Sequence, residues 1–386
     1  MMISPRPEVL ALSEAVHGAV NDAELADRGI DPRTILDFSA SINPFGPSPK
    51  VLEALTNAPI DRYPDREATA LRQALAAQLD VPVENLIAGN GSSELLYLIA
   101  LAFFRPNDAV VIVGPTYSEY ARVATLMGAK LIHCDATAGT NFEVPVELVS
   151  RSLHSLRPRA LFLCHPNNPT GKCLPADIVR QWAEDFSETL FIIDEAYIEF
   201  SPITQSLVSA KQQNIVVLRS LTKAYGLAGL RLGYAIADPE IIRVLCRVRP
   251  PWSVNAVAQA AGVAALNDSA HLQQSVTTLL AEKKWLLDEL QSLGLSTYPS
   301  SANFFLVRVT NATQVRQRLL ESRILVRDCT SFGLPEFLRI SPRCRSENTA
   351  LFKAWRQIKQ VQCPAAAPAS EDGLQTLMAL SRCPHR

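Results

Sequence analysis

The sequence has 386 residues, is 48% hydrophobic and carries a formal net charge of −1. This length predicts two domains or one large domain with a satellite, and the near-neutral charge argues against nucleic-acid or membrane-surface binding. The longest apolar stretch, Leu95–Phe104, spans about ten residues, about half of a membrane helix. The N-terminus lacks the apolar core of a signal peptide, so we expect a cytoplasmic protein. The eight cysteines form no CxxC pair, which predicts reduced thiols and no metal site.

The chain divides by pattern into four segments. Residues 1–46 are rich in turn formers and are expected to pack beside a small C-terminal domain. Residues 47–250 alternate helical stretches with apolar runs, which predicts a large α/β domain with parallel strands. Residues 251–362 are typical of a smaller α+β domain, and residues 363–386 of a mobile tail. The predicted strands of the large domain are Ala109–Gly114, Lys130–Asp135, Ala160–His165, Leu190–Asp194, Asn214–Arg219 and Leu232–Ala237.

A lysine flanked by hydroxyl groups follows the fifth predicted strand, in the segment SLTKAYGLAGLRLG that begins at Ser220. A lysine amine that can lose its proton condenses with an aldehyde, which makes Lys223 a candidate for holding a cofactor. Ser220, Thr222 and Arg231 are suited to holding a phosphate group. A surface lysine in a glycine-rich turn explains the same residues, so this segment alone leaves both interpretations open.

Polar residues follow three further predicted elements. Asp194 ends an apolar strand, and a buried carboxylate needs a partner such as a protonated pyridine nitrogen, although a helix N-cap is the alternative. Tyr197 is three residues further on, and Asn168 lies in the tight loop HPNNPTG; both could reach a ring oxygen. Ser92 and Ser93 precede an apolar helix, where backbone amides and hydroxyls form a phosphate site or an ordinary helix cap.

Together and in this order, these four segments resemble the fold-type I pyridoxal 5'-phosphate (PLP) enzymes, the aspartate-aminotransferase superfamily, over roughly residues 35–360. The resemblance implies a large domain whose mostly parallel seven-stranded sheet is sandwiched by helices, a smaller α+β domain, and a homodimer. It implies that Lys223, Asp194 and Tyr197 are catalytic, with Lys223 forming the Schiff base. The implied cofactor-binding residues are Ser92, Ser93, Tyr117 (stacked on the ring), Asn168, Asp194, Tyr197, Ser220, Thr222, Lys223 and Arg231.

Two arginines near the C-terminus, Arg327 and Arg339, indicate a substrate with two anionic groups. In the superfamily, the position of Arg339 holds the substrate carboxylate, and Arg327 resembles a phosphate-binding arginine; an ordinary surface ion pair is the alternative for Arg327. The resemblance also implies that Tyr63 reaches the active site of the partner subunit. We therefore expect a phosphorylated amino-acid substrate.

Two subfamilies fit these residues: threonine-phosphate decarboxylase of the cobalamin pathway and histidinol-phosphate aminotransferase. The segment DFSASINPFG from Asp37 resembles the decarboxylase, because the aminotransferase typically has an acid where Ile42 stands. His17-Gly18 resembles the substrate-phosphate contact His-Gly-Gly, although Ala19 replaces the second glycine. The expected substrate-binding residues are His17, Gly18, Asn43, Tyr63, Asn168, Arg327 and Arg339. The resemblance favours decarboxylation of O-phospho-L-threonine, with the aminotransferase or another amino-acid aminotransferase as the alternative.

A non-enzymatic alternative exists, because some transcription regulators carry this fold as an effector-sensing domain. Such proteins need an added DNA-binding domain. Only about 35 residues precede Asp37, too few for that domain, so we expect no nucleic-acid partner and no membrane partner.

Overall fold

The structure, a computed structural model, describes residues 3–12 and 18–358; the predicted tail and His17 lie outside these ranges. Its strands are β1 (Leu36–Asp37), β2 (Leu86–Asn90), β3 (Ala109–Gly114), β4 (Lys130–Asp135), β5 (Ala160–Cys164), β6 (Leu190–Asp194), β7 (Ile215–Ser220), β8 (Leu232–Ile236), β9 (Phe305–Arg308), β10 (Ile324–Leu325), β11 (Arg327–Asp328) and β12 (Phe337–Ile340).

The helices alternate with the strands through the first two thirds of the described chain. The α-helices are α1 (Pro7–Leu10), α2 (Asp22–Asp27), α3 (Pro49–Asn57), α4 (Thr69–Leu79), α5 (Gly91–Phe103), α6 (Glu119–Leu126), α7 (Val146–Leu156), α8 (Ala176–Asp185), α9 (Pro239–Val248), α10 (Ala256–Leu266), α11 (Ser269–Ser292), α12 (Ala312–Glu321) and α13 (Arg345–Gln357). Short 3-10 helices cover Pro32–Thr34, Val83–Asn85, Ala138–Thr140, Ile198–Phe200, Ala228–Leu230 and Thr330–Phe332. No described helix combines the length and apolarity needed to cross a membrane.

Seven strands form the central sheet, in the order β2-β8-β7-β6-β5-β3-β4. Side chains of β3 alternate between two cores: Val111 and Val113 pack on one face, and Val110 and Ile112 on the other. A strand buried on both faces needs helices on both sides of the sheet. Helices α4 and α10 contribute to one core and α5, α6 and α9 to the other, which confirms the predicted mostly parallel α/β sheet.

Neighbouring strands of this sheet pair in parallel except at β8, which runs antiparallel to both β7 and β2. Residues 221–231 join β7 to β8 and contain only the 3-10 turn Ala228–Leu230. A parallel crossover needs a dozen or more residues and usually a helix, so this short connection reverses the chain instead. The expectation that successive strands pair in parallel is therefore wrong at β8, and the reversal lies in the segment that carries Lys223.

The predicted strand bounds agree with the structure for β3, β4 and β6 and differ by one residue at the ends of β5, β7 and β8. Strand β2 is absent from the sequence prediction, because its sequence LIAGN contains glycine and asparagine, which are depleted in strands.

The C-terminal part forms a second sheet with its own core. Strands β11, β12 and β9 are antiparallel neighbours, packed with apolar residues of α11, α12 and α13. Near the N-terminus, Leu36 and Asp37 pair in parallel with Ile324 and Leu325, and Phe38 enters the same core. The N-terminal segment therefore packs against this part of the chain, while the predicted domain boundaries stay predictions.

Strand β8 and the first turn of α5 approach closely at Gly233. A Cβ atom at this position would lie 2.4 Å from the backbone nitrogen of Ser92 and 2.7 Å from the carbonyl carbon of Gly91. Both atoms are backbone and have little room to move, so this contact requires glycine. Gly91 itself has a φ of +75°, which lets α5 start directly after β2.

We predict that Gly233→Ala lowers the free energy of unfolding by about 1–3 kcal/mol, since a methyl group cannot fit against the start of α5. Chemical denaturation of the cofactor-free protein measures this change. Gly229→Ala is the matched control, because a Cβ there meets nothing within 4 Å; its effect should stay within about 0.5 kcal/mol. Equal stability of the two variants would contradict the prediction.

Candidate active site

The carboxyl ends of β5, β6 and β7 meet at one edge of the central sheet, where ligands of such sheets bind. Side chains that follow these ends surround a cavity of about 270 Å³. The cavity brings together thirteen of the predicted site residues: Gly18, Ser92, Ser93, Tyr117, Asn168, Asp194, Tyr197, Ser220, Thr222, Lys223, Arg231, Arg327 and Arg339.

Lys223 lies on the reversal between β7 and β8, with its amine beside the ring of Tyr197 at 5.7 Å from the centroid. Asn43 holds this loop, because its backbone amide donates a hydrogen bond to the Lys223 carbonyl at 2.9 Å. Burial, reinforced by the positive charges of Arg339 and Arg231, lowers the pKa of Lys223 to about 8, against the opposing effect of Asp194. About a tenth of the amine is therefore neutral at pH 7, far more than for a lysine with an ordinary pKa, and the neutral amine is the form that attacks an aldehyde.

Asp194 ends β6 and is fully enclosed. Its Oδ2 accepts a hydrogen bond from the Tyr120 hydroxyl at 2.8 Å, and its Oδ1 accepts one from the Ala196 amide at 3.0 Å. Burial raises the pKa of this carboxyl group, and the hydrogen bond from Tyr120 opposes the rise. Both donors are neutral, so a cationic group in the cavity is the natural complement of Asp194.

Hydroxyl groups and backbone amides form a polar cup at one end of the cavity. Ser92 and Ser93 occupy the first turn of α5, where the backbone N–H groups point outward. The hydroxyls of Ser220 and Thr222 are 2.7 Å apart, so one hydrogen bond orients both. The side chain of Arg231 passes over Gly91, where a Cβ would lie 2.9 Å from its Nη2 atom. Such a set of donors suits a phosphate group.

Aromatic rings form the wall of the cavity. The rings of Tyr117 and Tyr120 meet edge to face at 5.6 Å, and Tyr197 meets Phe304 in the same way at 5.0 Å. Burial raises the pKa of Tyr117 to about 12, although a hydrogen bond with Ser93 opposes this rise. Burial likewise raises the pKa of Tyr197, so both phenols stay protonated and can donate hydrogen bonds.

Arg339 and Arg327 face each other across the antiparallel pair β12 and β11. Both are buried, with relative exposures of 5% and 6%. Arg339 donates to the Asn168 side-chain oxygen and, at 2.7 Å, to the Ser39 carbonyl; its buried Nε has no protein partner. Arg327 donates to the Ser331 hydroxyl at 2.7 Å, and burial together with Arg339 lowers its pKa.

The N-terminal segment closes the cavity beside Arg339. A Cβ at Gly18 would lie 2.7 Å from the Ser39 carbonyl oxygen and 3.3 Å from Nη2 of Arg339, so only glycine fits. The Ala19 amide donates to the Ser39 hydroxyl at 2.9 Å, which in turn donates to Asp37 at 2.6 Å. His17 lies outside the described residues, and its predicted phosphate contact stays a prediction.

Two predicted substrate residues lie elsewhere. Asn43 does not line the cavity, because its side-chain amide donates to the Ala224 carbonyl and the Ser275 hydroxyl while its oxygen accepts from the Phe45 amide. Asn43 therefore holds the lysine loop in this structure, and its predicted substrate contact stays a prediction.

Tyr63 is 76% exposed and stacks on Trp252, with ring centroids 4.4 Å apart, away from the cavity of its own chain. Its predicted reach into a partner subunit stays a prediction.

Sequence reasoning missed Tyr120 and Ser39, which contact Asp194 and Arg339 respectively. Tyr120 looks like an ordinary core aromatic of α6; its spacing of three residues from Tyr117, one helical turn, was the available signal. Ser39 acts partly through its backbone carbonyl, which no side-chain pattern reveals.

The cavity fits the cofactor that the sequence resemblance implied. The phosphate of PLP matches the polar cup, its aldehyde matches the amine of Lys223, and its ring nitrogen, when protonated, matches the enclosed Asp194.

Comparisons with known proteins agree with this fit. The sequence pattern of the family "Aminotransferase class I and II" matches residues 33–354. A histidinol-phosphate aminotransferase of Moorella thermoacetica is 36% identical over 92% of both chains. Another, from Symbiobacterium thermophilum, is 35% identical over 92% of this chain and 98% of its own. These names match the aminotransferase alternative better than the decarboxylase that the N-terminal segment resembles.

Solved structures give the same fold. Histidinol-phosphate aminotransferase from Sinorhizobium meliloti, in complex with PLP, superposes with a TM-score of 0.83 at 24% identity over 93% of this chain and 99% of that chain. The enzyme of the same name from Clostridium acetobutylicum has a TM-score of 0.77 at 26% identity, over 84% and 99% of the two chains. The chain therefore belongs to the class I and II aminotransferase family of fold-type I enzymes, which use pyridoxal 5'-phosphate as cofactor.

Proposed function

We propose that this enzyme transfers the amino group of a phosphorylated amine, with histidinol phosphate as the substrate, to a keto acid. The observation that carries the proposal is the pair of buried arginines, Arg327 and Arg339, that face each other at the cavity. The names of the relatives support the choice of reaction and substrate.

The arginine pair places two positive charges at one wall of the cavity. Like charges directly opposite each other on neighbouring strands repel, and burial removes the water that would screen them. Burial lowers the pKa of Arg327, and the neighbouring charge of Arg339 adds to this effect. A phosphate monoester carries about two negative charges and several acceptor oxygens, so it can offset both guanidinium groups at once.

Lys223 has two tasks in the proposed reaction. Its neutral amine holds the cofactor through the aldehyde until substrate displaces it, and then carries a proton to or from the substrate Cα. When bound, the cofactor supplies a ring that accepts the electron pair of the bond broken at Cα. The pKa of about 8 leaves Lys223 able both to accept and to release a proton near neutral pH.

The remaining cavity residues orient the cofactor in this proposal. Asp194 pairs with the ring nitrogen, while Asn168 and Tyr197 donate hydrogen bonds to the ring oxygen. Tyr117 stacks on the ring. Asn168 also accepts a hydrogen bond from Arg339, so the group that orients the ring is linked to a group that binds substrate. The proposed phosphate ligands of the cofactor are Ser92, Ser93, Ser220, Thr222 and Arg231.

A second candidate is decarboxylation of O-phospho-L-threonine, favoured by the apolar side chain of Ile42 at the cavity. An imidazole substrate carries ring nitrogens that need hydrogen-bond partners, whereas the threonine side chain ends in a methyl group that packs against an apolar residue. Phe332 adds a second apolar contact and lies under Arg327, 5.2 Å from ring centroid to guanidinium. The cofactor site is the same for both reactions, so Ile42 bears on substrate choice alone.

The first test supplies the purified, PLP-loaded enzyme with each substrate in turn. We expect histidinol phosphate to react once per active site and then stop, and 2-oxoglutarate to restore turnover with formation of glutamate. Amino-acid analysis and the visible spectrum of the cofactor measure both steps. Continuous release of carbon dioxide from O-phospho-L-threonine without a keto acid would instead identify the decarboxylase, because a transaminase needs an amino acceptor for each cycle.

We predict that borohydride reduction of the PLP-loaded protein labels Lys223 and leaves Lys283 unlabelled, as peptide mass mapping would show. Lys283 is a matched internal control: burial also lowers its pKa to about 8, but its amine donates to the carbonyls of Ser300 and Ala302 outside the cavity. Labelling in the cofactor-free protein after addition of PLP should accelerate as pH rises towards about 8 and level off above it, since the neutral amine is the reactive form. Label on Lys283 would show that amine pKa, rather than the cavity, selects the lysine.

We predict that Arg327→Gln lowers the preference for phosphorylated over dephosphorylated substrate by about 10- to 100-fold in kcat/KM, the loss of one charged hydrogen-bonding group. Arg308→Gln is the control, because Arg308 lies on β9 of the same sheet, pairs with Glu336 and does not line the cavity. An unchanged preference in Arg327→Gln would assign the substrate phosphate to other residues.

A further inference from the structure

The hydroxyl of Tyr120 donates a hydrogen bond to the Asp194 carboxylate and lies beside the Cys164 thiol. The side chain is fully buried in helix α6, and its oxygen donates to Oδ2 of Asp194 at 2.8 Å. Burial and the nearby Asp194 charge raise the pKa of Tyr120 well above its usual value. The phenol therefore stays protonated and remains a donor throughout the working pH range.

The ring of Tyr120 is fixed on two sides. It stacks on Phe162 of β5, with centroids 5.0 Å apart and planes within 5° of parallel, and its edge contacts Tyr117 at 5.6 Å. A ring held in this way cannot swing to another acceptor without breaking both contacts. The hydroxyl therefore fixes the plane and the charge of the Asp194 side chain.

Several titratable groups surround Asp194. Besides Tyr120 from α6, they are Lys223 from the β7–β8 reversal, Cys164 from β5, Glu195, the next residue in the chain, and the cavity tyrosines Tyr117 and Tyr197. Burial raises the pKa of Asp194, and the hydrogen bond from Tyr120 is the largest effect that lowers it. Among neighbouring side chains, Tyr120 therefore does most to keep this carboxylate ionised.

We propose that Tyr120 is a positioning residue for the cofactor: its hydroxyl keeps Asp194 ionised and aims the carboxylate at the ring nitrogen. This inference rests on the proposed role of Asp194 and on no particular substrate. It also links two walls of the site, since the same tyrosine supports Tyr117, the residue proposed to stack on the ring.

Loss of the hydroxyl has a directional consequence. Without the donor, the Asp194 carboxylate binds its proton more strongly, so the proton shared with the ring nitrogen moves towards Asp194. The ring then carries less positive charge, and the linkage between ring and Lys223 keeps its proton to higher pH. The bound cofactor should also dissociate more readily, because the ion pair that anchors its nitrogen is weaker.

The test is Tyr120→Phe, which retains the ring and its packing and removes only the oxygen. We expect the pH midpoint of the visible absorbance of the holoenzyme to move upward. Titration of the cofactor-free protein with PLP should give a dissociation constant at least about tenfold higher, the effect of one hydrogen bond to a charged group. Tyr97→Phe is the control, because its hydroxyl donates to Glu119 at 3.2 Å and does not line the cavity; both values should match the wild type.

Asp194→Asn separates this inference from the role of Asp194 itself. If Asp194→Asn changes the midpoint and the affinity while Tyr120→Phe changes neither, Tyr120 is only a packing residue and the inference is overturned. If neither variant has an effect, the proposed role of Asp194 fails, and the inference fails with it. A lower melting temperature of Tyr120→Phe with an unchanged spectrum would likewise leave Tyr120 with a structural role alone.

Discussion

Positive charge concentrated at the edge of the central sheet is the constraint on which the site depends. Lys223, Arg231, Arg327 and Arg339 all line one cavity, and Asp194 is the one acidic side chain among its described lining residues. Burial and mutual repulsion lower the pKa of Lys223 and of Arg327, so the lysine amine loses its proton more readily than an exposed one. The same positive charges therefore lower the pKa of the lysine and, in the proposed function, favour phosphorylated ligands.

One antiparallel strand, β8, places the lysine loop at this edge of the central sheet. Because β8 runs antiparallel, the chain that leaves β7 turns back at the carboxyl edge of the sheet and leaves Lys223 there instead of burying it under a crossover helix. The return of β8 beside β2 then brings Gly233 against the first turn of α5, so the lysine and the hydroxyls of Ser92 and Ser93 reach one cavity. Asn43 stabilises this reversal by donating hydrogen bonds to the carbonyls of Lys223 and Ala224.

Much of this arrangement can be predicted from local sequence patterns. Apolar runs predicted β3, β4 and β6 with correct bounds, because strands buried on both faces need no alternation to be recognised. Motifs that follow strands placed Asp194 and Lys223 together, because parallel strands share their carboxyl ends. Local patterns say less where a role depends on tertiary contacts. The side-chain amide of Asn43, a predicted substrate residue, donates to the Ala224 carbonyl and the Ser275 hydroxyl, which no local pattern reveals.

Tyr120 shows the converse case. A buried tyrosine in the first turn of a helix is common in cores, and its spacing from Tyr117 does not by itself show that its oxygen meets Asp194, 74 positions away. The antiparallel direction of β8 was equally hidden, since it follows from a connection too short for a helix rather than from the strand itself.

The choice of reaction has a different physical origin from the binding of the cofactor. The large-domain residues around Lys223 provide the electron-accepting ring with its anchors and are the same for either proposed reaction. In the proposed function, substrate orientation depends instead on Arg339, whose guanidinium donates to the carbonyl of Ser39 in the N-terminal segment and to Asn168 in the loop after β5. Because the bond aligned with the ring is the bond that breaks, a small rotation of the substrate about this arginine changes the product. Gly18 and Ile42, which come from the same N-terminal segment as Ser39, also line the cavity. We therefore expect substrate specificity to depend on how this segment packs against Arg339 of β12.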